Sequence, residues 1–300
     1  MKYIFGPVSS RRFGASLGVD LSPGAKCCNF DCLYCELGKG RVKDAIENPP
    51  TVAEVARELK TALEEFPNID VITLTAKGEP TLYPNLKELV ARVNELKTTQ
   101  KTLILSNGTV ALYPERLAAL KGLDIVKFSL DSAVAKTFRR IDRGLENYDL
   151  SKIIEGMAKF RAEFRGELVM ETLVLAGFND TEAEFSALNE AFARIKPDRI
   201  DISTLDRPPA YDVGGVSEER LRELARLITA APVFVATRHP LAQKMDYSLE
   251  ELEKLLALRP QSKFDVENNF SEAAKSNLNA LLERGITRRE TLAGMEFYRV

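Results

Sequence analysis

The chain has 300 residues, a formal net charge of −2 and four cysteines that all lie within residues 27–35. This length suits one large α/β domain with a small appendage. A net charge near zero excludes the strong overall field of proteins that bind nucleic acid or membranes by charge alone. Residues 1–5 meet Gly6-Pro7 too soon to form a signal peptide, and no apolar run reaches transmembrane length. We therefore expect a cytoplasmic protein with reduced thiols and no membrane partner.

The hydrophobic pattern predicts strands and helices in alternation from residue 16 to residue 236. The opening, 3–14, is rich in loop-forming residues and leads to a first strand at 16–21. The later predicted strands are 71–75, 102–106, 125–130, 168–175, 199–203 and 233–236, and the predicted helices are 51–66, 85–97, 114–121, 150–165, 181–195 and 217–229. Thr51 and Glu54 form a capping box at the first helix. Strict alternation implies a parallel sheet, closed or partly closed, with function at the carboxyl ends of the strands.

The composition changes after His239-Pro240, which divides the chain into domains at 1–240 and 246–300. The second part reads as three helices and a hairpin, with a capping box of Ser248 and Glu251, and this order predicts a small winged-helix-like module. Acidic residues offset its lysines and arginines, whereas phosphate binding needs a local basic excess. Contact with a protein, or a lid over the barrel, is therefore favoured over nucleic-acid binding.

The cysteines are the main chemical signal, because three of them follow the spacing Cys28-x3-Cys32-x2-Cys35. Three thiolates this close suit a soft metal or an iron–sulfur cluster. A structural zinc site would need a fourth ligand, and His239 is about two hundred residues away. On a four-iron cluster, three cysteines leave one iron open. A disulfide or buried structural thiols are the alternatives, and a ligand set that includes Cys27 stays open.

This spacing, with the aromatic Tyr34 before the last cysteine, resembles the signature of the radical S-adenosylmethionine (SAM) enzymes. The resemblance implies a partial (β/α)6 TIM-like barrel and a [4Fe–4S] cluster on Cys28, Cys32 and Cys35. It also implies that SAM binds the open iron through its amino and carboxylate groups. Further residues, 5–12, 78–81 and 106–108, resemble the wyosine-synthase-related group of these enzymes. That group carries extra upstream cysteines for a second cluster, which this chain lacks, so its reaction is not expected here.

The resemblance also implies a set of SAM contacts at strand ends. Lys77-Gly78-Glu79-Pro80 matches the family's Gly-Gly-Glu-like stretch, whose acid holds the SAM amino group, although Lys77 replaces the first glycine. Alone, these residues would form an ordinary turn. The complete set of implied SAM contacts is Tyr34, Gly78, Glu79, Ser106, Asn107, Ser129, Asp131, Arg143 and Asn179. Three of these have structural alternatives: packing for Tyr34, a solvated surface position for Arg143, and a helix cap for Asn179.

The implied chemistry is reductive cleavage of SAM to a 5′-deoxyadenosyl radical that takes a hydrogen atom from a substrate. A ferredoxin or flavodoxin would supply the electron. The substrate is a tRNA base or a protein or peptide side chain, including a glycyl-radical partner. A redox-sensing regulator that binds nucleic acid is the non-enzymatic alternative. Candidate groups facing the substrate, chosen by placement at the later strand ends, are Glu171, Asp201, Ser203, Asp206 and Arg207.

Overall fold

A computed structural model describes the chain except for residues 11–12, 146–147, 237–243, 259 and 293–294. Within the described residues, eight strands form one sheet whose spatial order is the chain order. The strands are β1 Ile4–Ser10, β2 Gly14–Asp20, β3 Val71–Thr75, β4 Lys101–Ser106, β5 Ile125–Ser129, β6 Glu167–Val174, β7 Arg199–Thr204 and β8 Val233–Val235. Strands β2 to β8 are parallel, and β1 is antiparallel to β2. The parallel sheet predicted from the alternation is thus confirmed.

Seven helices lie in the crossovers that connect the parallel strands. They are α1 Val52–Glu65, α2 Leu86–Leu96, α3 Pro114–Ala119, α4 Ala135–Asp142, α5 Leu150–Glu163, α6 Glu182–Ile195 and α7 Glu218–Ala225. The capping box predicted at Thr51 and Glu54 begins α1. Short 3-10 helices at Pro80–Leu82, Thr109–Leu112 and Leu120–Gly122 follow β3, β4 and α3.

The structure differs from the sequence pattern at two places. The opening segment forms strand β1 rather than a loop, and its register with β2 shifts between Phe5 and Val8, around Gly6-Pro7. An edge strand tolerates this Gly-Pro pair because only one of its sides is paired. Helix α4 was not predicted, because it begins after Val134 without a side-chain cap and is rich in basic residues. Its apolar face packs against the cysteine loop, where the rings of Phe138 and Phe30 lie 5.7 Å apart.

The two faces of the sheet bury different residues. Side chains such as Ile72, Ile104 and Val126 point toward the helices and form the large core. On the opposite face, which we call the inner face, Val71, Leu103, Ile125 and Val169 pack with Phe13 near the amino ends of the strands. Side chains alternate between faces along a strand. Lys127, Ser129, Glu171 and Asp201 therefore share the inner face, closer to the carboxyl ends.

The last part of the chain has a hydrophobic cluster of its own, which includes Leu252, Phe270 and Leu278. Its elements are α8 Leu249–Leu258, β9 Gln261–Ser262, α9 Lys263–Asn269, α10 Glu272–Glu283, β10 Arg288–Leu292 and β11 Met295–Arg299. The predicted order of three helices and a hairpin is present, with a short extra strand, β9, that pairs with β11. The proposed boundary at His239-Pro240 lies outside the described residues, and the winged-helix assignment stays a prediction. None of the helices described is long and apolar enough to cross a membrane.

Candidate functional site

The cysteine loop, residues 21–50, contains no helix or regular strand but is tied to three parts of the fold. The Cys27 amide donates to the Lys77 carbonyl (2.7 Å), just beyond strand β3. The Leu33 amide donates to the carbonyl of Ile141 (2.9 Å) in α4, and the Tyr211 amide, from the segment after β7, donates to the Leu33 carbonyl (3.1 Å). These backbone hydrogen bonds hold the cysteines at the carboxyl edge of the sheet.

The Cys27 thiol contacts a different part of the loop from the thiols of Cys28 and Cys32. Its thiol is buried and donates to the carbonyl of Ala45 at 2.9 Å, and burial raises its pKa. The backbone of Cys27 also forms an isolated bridge with Gly78. Cys27 therefore contributes to the packing of the loop. This favours Cys28, Cys32 and Cys35 as the cluster ligands, an assignment that stays a prediction.

The thiols of Cys28 and Cys32 are surrounded by hydrogen-bonding groups. The Phe30 amide donates to the Cys28 sulfur at 3.4 Å, and the side-chain amide of Asn107 lies 3.9 Å from it. Burial raises the pKa of Cys28 to about 12 and raises that of Cys32 as well. The Cys32 thiol donates to Asp142 at 3.5 Å. N–H donors directed at sulfur are a recurring feature of iron–sulfur ligation, so these residues fit a cluster.

Within the part of the chain that the structure describes, no three histidine, cysteine or carboxylate side chains are grouped so that they could hold one metal ion. In a four-iron cluster each cysteine binds a different iron.

Gly78 and Glu79 lie directly against the cysteine loop. Gly78 has φ 142°, and a Cβ atom there would stand 1.7 Å from the carbonyl oxygen of Cys27, so only glycine fits. The Glu79 amide donates to that same oxygen at 2.9 Å. The direct contact of Gly78 with SAM stays a prediction. Gly78 also allows the backbone of the cysteine loop to pack closely against the end of β3.

The carboxylate of Glu79 is 1 % exposed, and burial raises its pKa. One oxygen accepts from the Thr81 amide at 3.0 Å, and the other accepts from the Asn107 amide at 2.7 Å. No cation pairs with it among the described residues, although it is close enough to Cys28 to raise the pKa of that thiol. A buried carboxylate without a cation is a suitable partner for a cationic amine.

Asn107 is fixed by a buried polar network behind the cysteines. Its side-chain nitrogen donates to the side-chain oxygen of Asn29 (2.7 Å), and its side-chain oxygen accepts from the Thr109 hydroxyl (2.7 Å). Asn29 in turn donates to Thr109 (2.8 Å) and to the hydroxyl of Tyr148 (2.6 Å). Ser106, beside it, is buried and accepts from the Gly108 amide at 3.1 Å. Ser106 and Asn107 were predicted from the sequence, whereas Asn29 was not, although it lies inside the cysteine motif.

Tyr34, Asp131 and Asn179 form one connected group at the ends of β5 and β6. The Tyr34 hydroxyl donates to Asp131 at 2.5 Å, and the other oxygen of Asp131 accepts from the Leu173 amide at 2.8 Å. Burial raises the pKa of Asp131 to about 6. Asn179 is fully buried and donates to the carbonyls of Asp131 (2.7 Å) and Leu173 (2.9 Å). Its amide therefore ties the two strand ends together.

The remaining predicted SAM contacts lie on either side of this group. Ser129 is half-buried on the inner face, next to Glu171 on the neighbouring strand. Arg143 ends α4 with φ 49°, and its guanidinium lies 3.5 Å from Asp31 and 4.3 Å from the ring centre of Tyr211. Arg143 thus contacts the cysteine loop, and its contact with SAM stays a prediction. The helix cap considered for Asn179 is provided by Thr181 instead.

An ion-pair network on the inner face is centred on Lys127, a residue that was not predicted to belong to the site. This lysine is 4 % exposed, and its ammonium lies 2.6 Å from Glu171 and 3.1 Å from Asp201. Arg199 contacts the second oxygen of Asp201 at 2.9 Å. Two of the five candidate substrate-facing residues, Glu171 and Asp201, are therefore held by one cation. The sequence signal that could have revealed the network is Lys127 itself, a single charged residue in the short, mostly apolar strand β5.

The other three candidates lie apart from this network. Ser203 is half-buried near the end of β7. Asp206 and Arg207 follow that strand, where Arg207 pairs with Glu36 of the cysteine loop and lies 4.0 Å from Asp206. The structure brings these two residues to the cysteine loop rather than to Lys127.

Comparison with known proteins agrees with this geometry. The model of the Radical SAM superfamily matches residues 23–188. A UPF0026 protein of Helicobacter pylori (strain J99 / ATCC 700824) is 38 % identical over 298 residues, which cover 98 % of this chain and 96 % of that protein. A GTP 3′,8-cyclase of Peptoclostridium acidaminophilum is 28 % identical over 206 residues, which cover 69 % of this chain and 58 % of the cyclase.

The fold is also found in solved structures. The structure of TYW1 with a lysine-pyruvate adduct superposes with a TM-score of 0.52 at 19 % identity, covering 71 % of this chain and 72 % of TYW1. Radical SAM enzymes use a [4Fe–4S] cluster and SAM, and the three thiols and the buried Glu79 of this chain fit those cofactors. The chain belongs to the radical SAM superfamily of enzymes.

Proposed function

We propose that this chain reductively cleaves SAM and removes a hydrogen atom from a purine base in RNA. When bound, the cluster and SAM would supply a one-electron reductive cleavage that yields methionine and a radical able to take the substrate hydrogen, with 5′-deoxyadenosine as the second product. Cys28, Cys32 and Cys35 would hold the cluster. A ferredoxin or flavodoxin would supply the electron.

The observation that carries the proposal is the buried Glu79 carboxylate beside Cys28. It accepts hydrogen bonds from the amide and hydroxyl of Thr81, from the Asn107 amide and from the Ser106 side chain, but it pairs with no cation among the residues described. These donors are neutral and leave the negative charge uncompensated, so an ammonium group would be favoured in place of a hydroxyl donor. The SAM amino group is such a cation. Asn107 and Asp131, each fixed by buried hydrogen bonds, would line the same binding site from the next strands.

The inner face favours a polar substrate. Lys127, Glu171, Asp201 and Arg199 place alternating charges on β5, β6 and β7, which suits a hydrogen-bonding base better than a hydrocarbon. The named relative GTP 3′,8-cyclase acts on a guanine nucleotide, which supports a purine. The C-terminal elements, from α8 onward, carry balanced charges and would cover the site or contact a protein.

The first test measures SAM cleavage. The anaerobically reconstituted chain with dithionite should convert SAM to 5′-deoxyadenosine and methionine, measured by liquid chromatography. Glu79→Gln should weaken SAM binding by some tens to hundreds of fold, or about 2–4 kcal/mol, because a buried ammonium loses its ionic acceptor. Thr81→Val, which removes only a donor to Glu79, should have a smaller effect. Formation of S-adenosylhomocysteine instead would indicate methyl transfer and would contradict the mechanism.

The second test identifies the substrate class. Nucleosides from total tRNA and the intact-protein masses of the proteome are compared between a deletion strain and its parent. Loss of one modified nucleoside would support an RNA base. An unchanged nucleoside profile with a mass shift on one protein would support the alternative, a peptide side chain, and would contradict the purine assignment.

A further inference from the structure

Two basic side chains of the cysteine loop and two from α4 and its C-terminal end lie near one another. We call Lys26, Lys39, Arg140 and Arg143 the basic rim. Lys39 and Arg143 both lie against the ring of Tyr211, at 4.7 and 4.3 Å from its centre. The Tyr211 hydroxyl donates to Asp31 at 2.6 Å.

The rim has more positive than negative charge. Lys26 and Arg143 both approach Asp31, at 3.7 and 3.5 Å, so this carboxylate has two cations beside it and Lys39 nearby. Arg140 lies 4.7 Å from the ring centre of Phe178, which packs in the same apolar cluster as Tyr34 and Tyr211. The nearby Glu36 is paired with Arg207. The whole chain, in contrast, has a net charge of −2.

An exposed apolar residue lies beside this rim. Leu37 is 44 % exposed and stands two residues after Cys35, in a turn where the Gly38 amide donates to the Cys35 carbonyl at 3.2 Å. Cys35 itself is only partly buried. A solvent-exposed turn therefore directly follows Cys35, which is one of the three predicted cluster ligands. An apolar contact within a charged border is typical of protein docking surfaces.

From these features we infer that the basic rim and Leu37 dock a small acidic protein that delivers one electron to the cluster. The inference rests on the proposed function, which needs one electron for each SAM cleaved. All four cysteines lie in one loop, so the chain has thiolate ligands for one cluster only, and the electron must come from another molecule. The electron has to enter near the cluster, and Cys35 and Leu37 mark the nearby surface. Opposite charge on the carrier would then speed encounter and fix its orientation.

The test compares two electron sources for the reconstituted enzyme. One is dithionite, and the other is reduced flavodoxin, an acidic one-electron flavoprotein. The rim variant is Lys39→Glu combined with Arg140→Glu. The control is Lys60→Glu combined with Lys87→Glu, which reverses two exposed lysines on α1 and α2. Iron content and thermal unfolding are measured for both, and Lys39→Gln with Arg140→Gln serves as a milder rim variant if iron is lost.

At low salt, the rim variant should lose about tenfold or more in flavodoxin-driven cleavage and in the measured association rate of flavodoxin with the SAM-free protein. Its dithionite-driven rate should equal that of the parent, and the control should match the parent in every measurement. In the parent, the flavodoxin-driven rate should fall as salt rises, because screening weakens the attraction.

Several results would overturn the inference. An unchanged flavodoxin rate in both rim variants excludes the rim as the docking surface. If the rim variant loses SAM cleavage to the same extent with dithionite, its residues belong to the cluster or SAM site. Weaker binding of bulk tRNA with an unchanged flavodoxin rate assigns the surface to RNA. Failure of the parent to cleave SAM with dithionite contradicts the proposed function instead, and flavodoxin association then tests the docking surface by itself.

Discussion

Replacing Lys127 with methionine should destabilise the folded chain by about 3 kcal/mol. The lysine is 4 % exposed, and its ammonium lies 2.6 Å from Glu171 and 3.1 Å from the fully buried Asp201. Methionine is also long and unbranched, so the expected loss comes mainly from the missing charge. Removing one partner of a buried pair costs about 3–5 kcal/mol. The lower end applies because Arg199 still contacts Asp201 at 2.9 Å and Glu171 is partly exposed.

Urea unfolding of the cluster-free chain, followed by circular dichroism without oxygen, measures this loss. The matched control is Lys159→Met, which breaks an exposed pair with Glu155 (2.7 Å) and should cost less than about 1 kcal/mol. Adding Asp201→Leu to Lys127→Met should recover part of the stability, because it removes a carboxylate left without its lysine. If Lys127→Met costs no more than Lys159→Met, the buried network is not the stabilising feature described here.

Three further predictions follow from single contacts. After anaerobic reconstitution, Cys27→Ala should keep about four irons per chain while Cys28→Ala loses the cluster, as iron and sulfide analysis would show; the opposite result would change the ligand set. Gly78→Ala should lower stability by at least about 2 kcal/mol in thermal unfolding, whereas Gly24→Ala, where an added Cβ would meet no atom within 4 Å, should be nearly neutral. Burial alone would raise the pKa of Asp124, but hydrogen bonds from a neighbouring lysine and threonine outweigh it and hold the pKa below its ordinary value. Asp124→Asn should therefore cost stability at pH 7, and this difference should shrink as pH falls through the lowered pKa; a constant difference would contradict the assignment.

Local patterns in the sequence predicted most of the sheet and its helices. Strand β3 has the bounds predicted from its β-branched run, and α1 begins at the predicted capping box. The two differences arose where the local signal opposed the fold. Gly6-Pro7 is typical of a turn, yet the edge of the sheet accepts it within β1. Helix α4 lacks a capping side chain, and its formation depends on packing of Phe138 against the cysteine loop.

Site residues that belong to one short motif could be predicted from the sequence. Contacts between residues that are distant in the sequence could not. The cysteine spacing indicated the cofactor because its ligands are close in sequence. The Lys127 network joins three strands, and the contact of Arg143 with Asp31 spans more than a hundred residues. The strand register must be known before one can tell which side chains are neighbours on the inner face, and the sequence alone does not give that register. Placement at strand ends therefore found Glu171 and Asp201 but not the lysine that binds both.

The position of the cysteine loop on β3 links the two predicted cofactor sites. Gly78 accommodates the carbonyl of Cys27, one residue before Cys28, and the next residue, Glu79, supplies the buried acceptor for an amine. The Glu79 amide donates to that same carbonyl at 2.9 Å, so a single backbone contact sets the position of Glu79 relative to Cys28. A change at Gly78 should therefore impair cluster assembly and SAM binding together. A change at Asn179, which holds only the ends of β5 and β6, should leave iron content intact and affect SAM binding alone.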